Sequence, residues 1–452
     1  EGGTEGKIGN YLSGNEISRL VLEKYRSLGK RGKPQDCHWT VLAGFVRSFA
    51  SPAVPGVPVS VQNHKSEVIA LATGTKCVGR KYINKNGETI NDSHAEVLAR
   101  RALVRYLLTD LLNGNKAKNF IISSSPDKKS NQLQANSDIS FHLYISRTPC
   151  GDASIYADSK DGREERVGVG EKRMRRESLN QNHNQTGAKE VGGSWDSDKQ
   201  SVGKTRLKSG RSDLPEDMRN ESMSCSDKIA KWAFMGIQGG ILAPFLKGPI
   251  ILSSITISPP LHDDGQTVLE ALTRALTRRP KSHKQTQTPH PEIKLSSLSF
   301  ESDISNIQCN IQTQPQKMWP DGNEKMSKRQ IKKRKKKGGG VSGCPVALNW
   351  YKGGGVETIM GMYGRKEGAS AKSTSLKTCS RLSRVMMWDL TRQLCAKFGI
   401  KSEEELIRCG YHQWKHSSSW YKALKVSMLD TSSPLHKWVR KDRQPITVYT
   451  SS

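Results

Sequence analysis

Long apolar runs are missing from this chain of 452 residues. Only 34% of the residues are hydrophobic, and the mean hydropathy is -0.64. No stretch approaches the roughly 20 consecutive apolar residues that a membrane-spanning helix needs. No charged-then-apolar signal follows the first residue, Glu1. The sequence therefore predicts a protein of the nucleus or the cytoplasm, with no membrane partner.

Acidic residues are also in short supply. Asp and Glu total 43 against 72 Lys and Arg, which gives a formal net charge of +29. A surplus of this size attracts polyanions, because their condensed counterions are released on binding. Nucleic acid is the first partner that this charge predicts. An anionic membrane surface would compete for such a charge, but the lack of a membrane segment favours nucleic acid.

Cysteine is scarce, with nine residues spread over the whole chain. An odd number at wide spacing does not indicate a disulfide framework. We expect reduced thiols, of which a few are available as metal ligands.

Apolar residues are concentrated in patterned segments. Ile17 to Tyr25 has the spacing of an amphipathic helix, and Glu67 to Thr73 has the composition of a buried strand. A longer helix is predicted to follow Asp92 or Ser93, either of which can cap it. Because such elements alternate along the chain, the sequence predicts one α/β domain over residues 8–445.

Two polar segments interrupt this domain. Residues 159–223 and 279–343 are rich in Gly, Ser, Asn and Lys, a composition that predicts disordered insertions. The second contains Lys328 to Lys337, in which eight of ten residues are basic. This run is typical of a nuclear-localisation signal, of a clamp on an RNA backbone, or of a solubilising segment.

Three side chains have the chemistry of a zinc site with an open position. His94 precedes a predicted helix, Cys150 follows Pro149 at the end of a predicted strand, and Cys225 begins another predicted helix. One imidazole and two thiolates would leave the fourth tetrahedral position of zinc for water. Glu96, two residues after His94, can exchange protons with that water.

The spacing departs from the usual pattern of such sites. A His-x-Glu motif followed by Pro-Cys is typical of zinc-dependent deaminases that act on a flipped-out base, and these usually continue Pro-Cys-x-x-Cys. Ala153 occupies the last of those positions here, so Cys225 is the candidate third ligand. Taken alone, Cys150 is more typical of a buried core thiol than of a metal ligand.

The chain resembles the RNA-editing adenosine deaminase superfamily. The resemblance implies a cytidine-deaminase-like α/β/α core with a mixed sheet, interrupted by two long disordered insertions. It also implies that His94, Cys150 and Cys225 bind zinc while Glu96 is catalytic. The substrate contacts that it implies are Thr75 and Lys76. The matching segments are LATGTKCVG (71–79), NDSHAEVLARRAL (91–103), FHLYISRTPCGDASI (141–155) and SCSDKIAKWAFMGIQGGIL (224–242).

The resemblance is greatest to members of the superfamily that act on tRNA. Members that edit long duplexes carry double-stranded-RNA-binding modules ahead of the deaminase domain, which we expect to begin near residue 8 here. The implied reaction converts adenosine to inosine in tRNA at position 37, on the 3′ side of the anticodon, with tRNA-Ala as the expected substrate. A double-stranded-RNA editing enzyme and a non-catalytic RNA-binding relative are the alternatives. No sequence feature points to an obligate protein partner.

The superfamily also buries one inositol hexakisphosphate behind the active site. The sequence offers a reason, because Arg100 and Lys228 lie on helices with apolar faces, and a buried cation is costly without an anion. A relay through Asp227, Lys228 and Gln238 toward the zinc site is implied as well. The implied ligands of the polyphosphate are Asn91, Arg100, Arg101, Lys228, Lys231, Arg384, Tyr411, Lys415, Tyr421, Lys425, Trp438 and Lys441.

Overall fold

A computed structural model describes most of the patterned segments. The described residues are 12–35, 38–49, 65–84, 86–114, 121–123, 133–156, 187–192, 201–208, 215, 219–259, 263–279, 289–313 and 341–439. Lys441 and the basic run Lys328 to Lys337 lie outside them, so the expectations for these residues stay predictions.

The elements alternate between helix and strand, as the sequence predicts. Within the described residues, no helix is both long and apolar enough to cross a membrane. The α-helices are α1 (Gly14–Ser27), α2 (Ala95–Leu112), α3 (Cys225–Met235), α4 (Gly239–Leu242), α5 (Gly265–Thr273), α6 (Ile304–Thr313), α7 (Arg384–Phe398), α8 (Glu403–Trp414) and α9 (Ser419–Met428). The first eight strands are β1 (His38–Trp39), β2 (Leu42–Phe49), β3 (Ser66–Thr73), β4 (Thr75–Cys77), β5 (Asp92–His94), β6 (Ile121–Ser123), β7 (Leu133–Ala135) and β8 (Ile139–Ile145). The later strands are β9 (Lys189–Glu190), β10 (Arg206–Leu207), β11 (Ser254–Ile257), β12 (Glu292–Leu295), β13 (Ser342–Gly343), β14 (Val346–Tyr351), β15 (Gly355–Met360) and β16 (Arg365–Lys366).

Eight strands form one mixed sheet in the order β12-β11-β8-β2-β3-β14-β15-β16. The β12–β11 and β11–β8 pairs are parallel, and the remaining pairs are antiparallel. Helices cover both faces, so the predicted α/β/α core with a mixed sheet is confirmed.

Each face of the sheet packs against a different helix. On one face, α1 buries Ile17, Val21 and Leu22, and a capping box between Ser13 and Glu16 fixes its first turn. On the other face lies α2, which buries side chains along its whole length. The apolar pattern predicts one buried face for α2, whereas α7 covers its outer side too. A helix enclosed in this way is a rigid support for residues at its first turn.

The predicted insertions are partly wrong in extent. Residues 187–192 and 201–208 include the antiparallel pair β9–β10, although they fall within 159–223. Strand β12 falls within 279–343, yet it pairs in parallel with β11 at the edge of the main sheet. The β9–β10 pair and β12 are short and surrounded by polar sequence. Tertiary contacts, rather than a local sequence pattern, hold them in place.

Candidate functional site

The first turn of α2 places His94 and Glu96. Strand β3 ends at Thr73, and after Gly74 the chain forms β4, which pairs with β5 so that Thr75 lies opposite His94. The cap of α2 differs from the prediction, because His94 occupies the N-cap position without a side-chain capping bond. The carboxylate of Asp92 instead accepts a hydrogen bond from the His94 backbone N–H, at 3.0 Å.

Two loops bring the cysteines to the same point. Cys150 follows the end of β8, and Cys225 is the first residue of α3, capped by Ser224. The backbone N–H of Ser226 donates to the carbonyl of Cys150 at 3.0 Å. Gly151, at φ +107°, meets the side chain of Ser224 so closely that no Cβ fits there. This contact joins the loop that carries Cys150 to the start of α3 at Cys225, although the two lie far apart in sequence.

The structure brings all three predicted metal ligands together. The ligand atoms of His94, Cys150 and Cys225 lie within 4.8 Å of one another. The Sγ of Cys225 is 3.6 Å from Nδ1 of His94, and the backbone N–H of Cys225 points to Sγ of Cys150 at 3.4 Å. A hydrogen bond from Cys225 and the charge of Lys208 hold the pKa of Cys150 well below its usual range. This donor set can hold a metal ion, and nitrogen with thiolate sulfur is what zinc prefers.

A second possible group in the described residues shares one of these ligands. Cys77, Asp92 and His94 also lie within 4.8 Å of one another. The oxygens of Asp92, however, accept hydrogen bonds from Lys208 and Lys228, which neutralise it. The first group therefore fits a metal better.

Glu96 lies beside the possible metal site and is almost fully enclosed, with 3% exposure. Its Oε2 has no hydrogen-bond partner among the described residues. Burial raises the pKa of Glu96, and the charges of His94 and Lys208 offset part of this effect. A buried carboxylate with a free oxygen and a raised pKa can exchange protons with a bound molecule.

Sequence reasoning missed Lys208, which lies within the predicted disordered insertion. Its ammonium group donates to both oxygens of Asp92, at 3.1 and 2.9 Å, and to Sγ of Cys225 at 3.0 Å. Lys228 contacts the same carboxylate. Burial opposes ionisation of Asp92, but the two lysines hold its pKa well below the usual value. No local pattern marks Lys208, because the contact depends on tertiary structure.

The hydrogen bonds near the site differ from the implied relay. Lys228 contacts Asp92, and Lys208 donates both to Asp92 and to Cys225. Asp227 is bound by Arg279 at 2.6 Å and by the backbone N–H of Arg206 at 2.9 Å. The side chain of Gln238 bonds to backbone groups of Met235 and Ile250. Asp227 and Gln238 thus hold nearby chain segments in place.

The two predicted substrate contacts, Thr75 and Lys76, lie at the edge of the site in β4. A Cβ added to Gly343 would lie 2.7 Å from Oγ1 of Thr75 and 3.1 Å from Nζ of Lys76. A Cβ on Gly361 would lie 2.8 Å from Cβ of Lys76. The Lys76 side chain is thus confined between two glycine-containing segments.

A basic cavity of about 270 Å³ lies behind the site, between α2, α3 and the C-terminal helices. Arg100 projects from α2 and stacks 5.1 Å from the ring centroid of Trp232. Its Nε has no hydrogen-bond partner among the described residues, and burial lowers the pKa of its guanidinium. Lys425 does not line the cavity; its Nζ lies 2.6 Å from Nε2 of His416. The predicted polyphosphate ligands that line it are Asn91, Arg100, Arg101, Lys228, Lys231, Arg384, Tyr411, Lys415, Tyr421 and Trp438.

Comparison with known proteins is consistent with this geometry. The adenosine-deaminase (editase) domain family matches residues 70–442. The tRNA-specific adenosine deaminase 1 of Drosophila melanogaster is 34% identical over 62% of this chain and 64% of its own length. The human protein of the same name is 28% identical over 92% of each chain. The double-stranded RNA-specific editase Adar of Drosophila melanogaster is 32% identical over 56% of this chain and 34% of its own length.

Proposed function

The chain belongs to the adenosine-deaminase (editase) family, and on that premise we propose that it converts adenosine to inosine in tRNA. The proposed target is position 37, on the 3′ side of the anticodon, and the proposed substrate is tRNA-Ala. The extent of similarity supports tRNA over duplex RNA: the human relative named for tRNA matches 92% of this chain, and the fly relative named for double-stranded RNA matches 56%.

The observation that carries the proposal is the convergence of four side chains. The ligand atoms of His94, Cys150 and Cys225 form one compact group, and the buried carboxylate of Glu96 lies next to it with a free oxygen. We assign zinc to this group, because nitrogen and thiolate donors suit it and three protein ligands leave a position open. A purely structural zinc site has no use for a free carboxylate.

Glu96 is the proposed acid and base of the reaction. Hydrolytic deamination adds water at C6 of adenine and releases ammonia, which leaves inosine. Bound zinc would supply the Lewis acid that activates the attacking water. Oε2 of Glu96 would take one proton from the attacking water and pass it to N1 of the purine. It would then take the second proton from the hydroxyl added at C6 and deliver it to the amine, which departs as ammonia and leaves the C6 carbonyl of inosine. Thr75 and Lys76 hold the target nucleotide at the edge of the site.

The basic cavity is the proposed site of one inositol hexakisphosphate. Its walls carry several cations whose burial is costly unless an anion lies among them. The clearest support is the Nε of Arg100, which is buried and has no hydrogen-bond partner among the described residues, so an anion in the cavity could accept from it. The contact of Lys228 with Asp92 connects this cavity to the proposed zinc site. The ligand would thus support the metal site from behind.

Sequencing of a defined RNA tests the substrate. The full chain is incubated with unmodified tRNA-Ala and, separately, with a long RNA duplex, and inosine is scored at each adenosine. We expect inosine at position 37 of the tRNA and little in the duplex. Inosine only in the duplex would contradict the proposed substrate, and none in either RNA would contradict the proposed activity.

A further inference from the structure

A cluster of aromatic and basic side chains lies on the surface next to the edge of the site. It consists of Arg80, Lys81, Tyr82, Met362 and Tyr363, which we call the tyrosine surface. The two tyrosine rings meet edge to face, with centroids 5.6 Å apart, and the ammonium of Lys81 lies 5.3 Å from the centroid of Tyr82. Both tyrosines are partly exposed, and Met362 is 48% exposed. Nothing in the proposed chemistry uses these residues.

The tyrosine surface is connected to the site through Lys76. Thr75 pairs with His94, and Lys76 is the next residue of β4. Gly361 packs against the side chain of Lys76, and it directly precedes Met362 and Tyr363. A nucleotide held at Thr75 and Lys76 would therefore have its neighbours in the RNA strand close to the two tyrosines.

Backbone hydrogen bonds fix both segments of this surface. The N–H of Val78 donates to the carbonyl of Asn91 at 3.1 Å, and the N–H of Arg80 donates to the carbonyl of Arg219 at 3.2 Å. In the other segment, the N–H of Tyr363 donates to the carbonyl of Met360 at 3.1 Å. The rings are thus presented by ordered turns, which reduces the entropy lost on binding.

We propose that the tyrosine surface binds the unpaired nucleotides next to the target adenosine. Unpaired bases stack on aromatic rings, and adjacent cations bind the phosphates between them. The bases of a duplex are already stacked on one another, so they cannot use such a surface. The inference rests on the proposed function and adds to it a reason why a single-stranded loop is preferred to a duplex.

Single-turnover kinetics test the stacking role. The RNA is an anticodon stem–loop carrying the target adenosine, and inosine formation is followed at increasing enzyme concentration. The test variant is Tyr82→Ala/Tyr363→Ala, and its control is Tyr82→Phe/Tyr363→Phe, which keeps both rings. We expect the alanine variant to need about 5- to 100-fold more enzyme for half-saturation, and the phenylalanine variant to stay within about twofold of wild type. If the alanine variant reached half-saturation at an enzyme concentration within twofold of that of wild type, the proposal would be overturned.

Charge reversal provides a second test with a matched control. Arg80 pairs with Glu221 at 3.6 Å in an exposed position, and Lys401 pairs with Glu405 at 3.8 Å in a similar one. Lys401 follows α7, whose Lys397 donates to the carbonyl of Leu112 at the C-terminal end of α2. The 18 residues of α2 span about 27 Å from the site to that end. We expect Arg80→Glu to weaken stem–loop binding and to lower its salt dependence, and Lys401→Glu, which changes the net charge equally, to do neither. Equal effects of the two changes would overturn the proposal.

RNA binding separates this inference from the proposed function. Fluorescence anisotropy compares the labelled stem–loop with the same RNA after its loop is paired to a complementary strand. We expect wild type to prefer the open loop and the alanine variant to lose that preference. If wild type formed no inosine but preferred the open loop, and the alanine variant lost that preference, the function would fail and the surface would stand. If wild type formed inosine but both proteins bound the two RNAs alike, the surface would fail and the function would stand.

Discussion

The ammonium group of Lys208 lies 3.0 Å from Sγ of Cys225 and 2.9 Å from Oδ2 of Asp92. All three groups are buried. The lysine thus places a positive charge where a thiolate and a carboxylate would otherwise face each other in a medium of low polarity. Lys208 acts on the metal site through its ligand, so we regard it as a positioning residue.

Replacing this lysine tests its effect on the metal site. We expect Lys208→Met to weaken zinc binding by about 10- to 100-fold, because a group that donates a hydrogen bond to a metal ligand holds that ligand in its binding state. Competition with a chromogenic chelator measures the affinity. The control is Lys204→Met, which changes an exposed lysine of the same segment. Equal zinc affinity in the two variants would contradict the role of Lys208 as a positioning residue.

Replacing the proposed proton carrier tests the mechanism. Glu96→Gln keeps the size of the side chain and removes its ability to carry a proton. We expect the single-turnover rate of inosine formation to fall by about 10²- to 10⁴-fold, the usual contribution of a positioned acid and base. Zinc content and thermal unfolding should stay as in wild type, since Glu96 is not a proposed ligand. A variant with the wild-type rate would show that another group moves the proton.

The elements with strong local patterns were predictable from the sequence. α1 and β3 extend only slightly beyond the predicted segments. The helical spacing of apolar residues in α1 and the apolar run in β3 record which residues are buried. The apolar residues between Ile250 and Ile257 predict a longer strand than the one observed, since β11 begins only at Ser254. β12 was missed because its four residues are set in polar sequence. Local pattern identifies long elements better than short ones that depend on neighbours.

The site was predictable in composition but not in all its contacts. The spacing indicated His94, Glu96 and Cys150, and Cys225 followed from its position at a helix start and from the family resemblance. Only the folded chain shows that Ser226 and Cys150 hydrogen-bond across the two loops. Lys208 could not be found in this way, since a lysine in a polar segment normally faces solvent.

The basic cavity leads to a prediction about a bound ligand. Native mass spectrometry of the purified chain should show one extra mass equal to inositol hexakisphosphate. We expect Arg100→Met to lose that mass and to lower the unfolding temperature, because Arg100 is enclosed by the cavity. The control is Arg19→Met, at an exposed ion pair on α1. Wild-type protein that folds normally with no extra mass would contradict the prediction.

His142 makes the stability of the core depend on pH. Its ring lies between the hydroxyls of Ser48 and Ser254, at 2.9 and 2.8 Å. Burial, together with the charge of Lys294, lowers the pKa of His142 to about 4. In the unfolded chain the pKa of a histidine is about 6.5, so between these values only the unfolded state binds the proton. The free energy of unfolding should therefore fall as the pH falls from about 6.5 to about 4, by about 3 kcal/mol in all.

Urea unfolding at several pH values measures this contribution. We expect His142→Gln, which keeps hydrogen-bonding groups between the two serines, to show a shallower loss of unfolding free energy over the same range. The difference in unfolding free energy between this variant and wild type should shrink as the pH is lowered. Parallel curves for the two proteins would show that His142 titrates normally in the fold.

Elemental analysis of the purified chain tests most directly whether His94, Cys150 and Cys225 hold a single zinc ion. We expect one zinc per wild-type chain, and almost none after Cys225→Ala. Cys395→Ala removes another buried thiol, in α7, and should keep the metal. Wild-type protein without zinc, or a Cys225→Ala variant that retains it, would contradict the account.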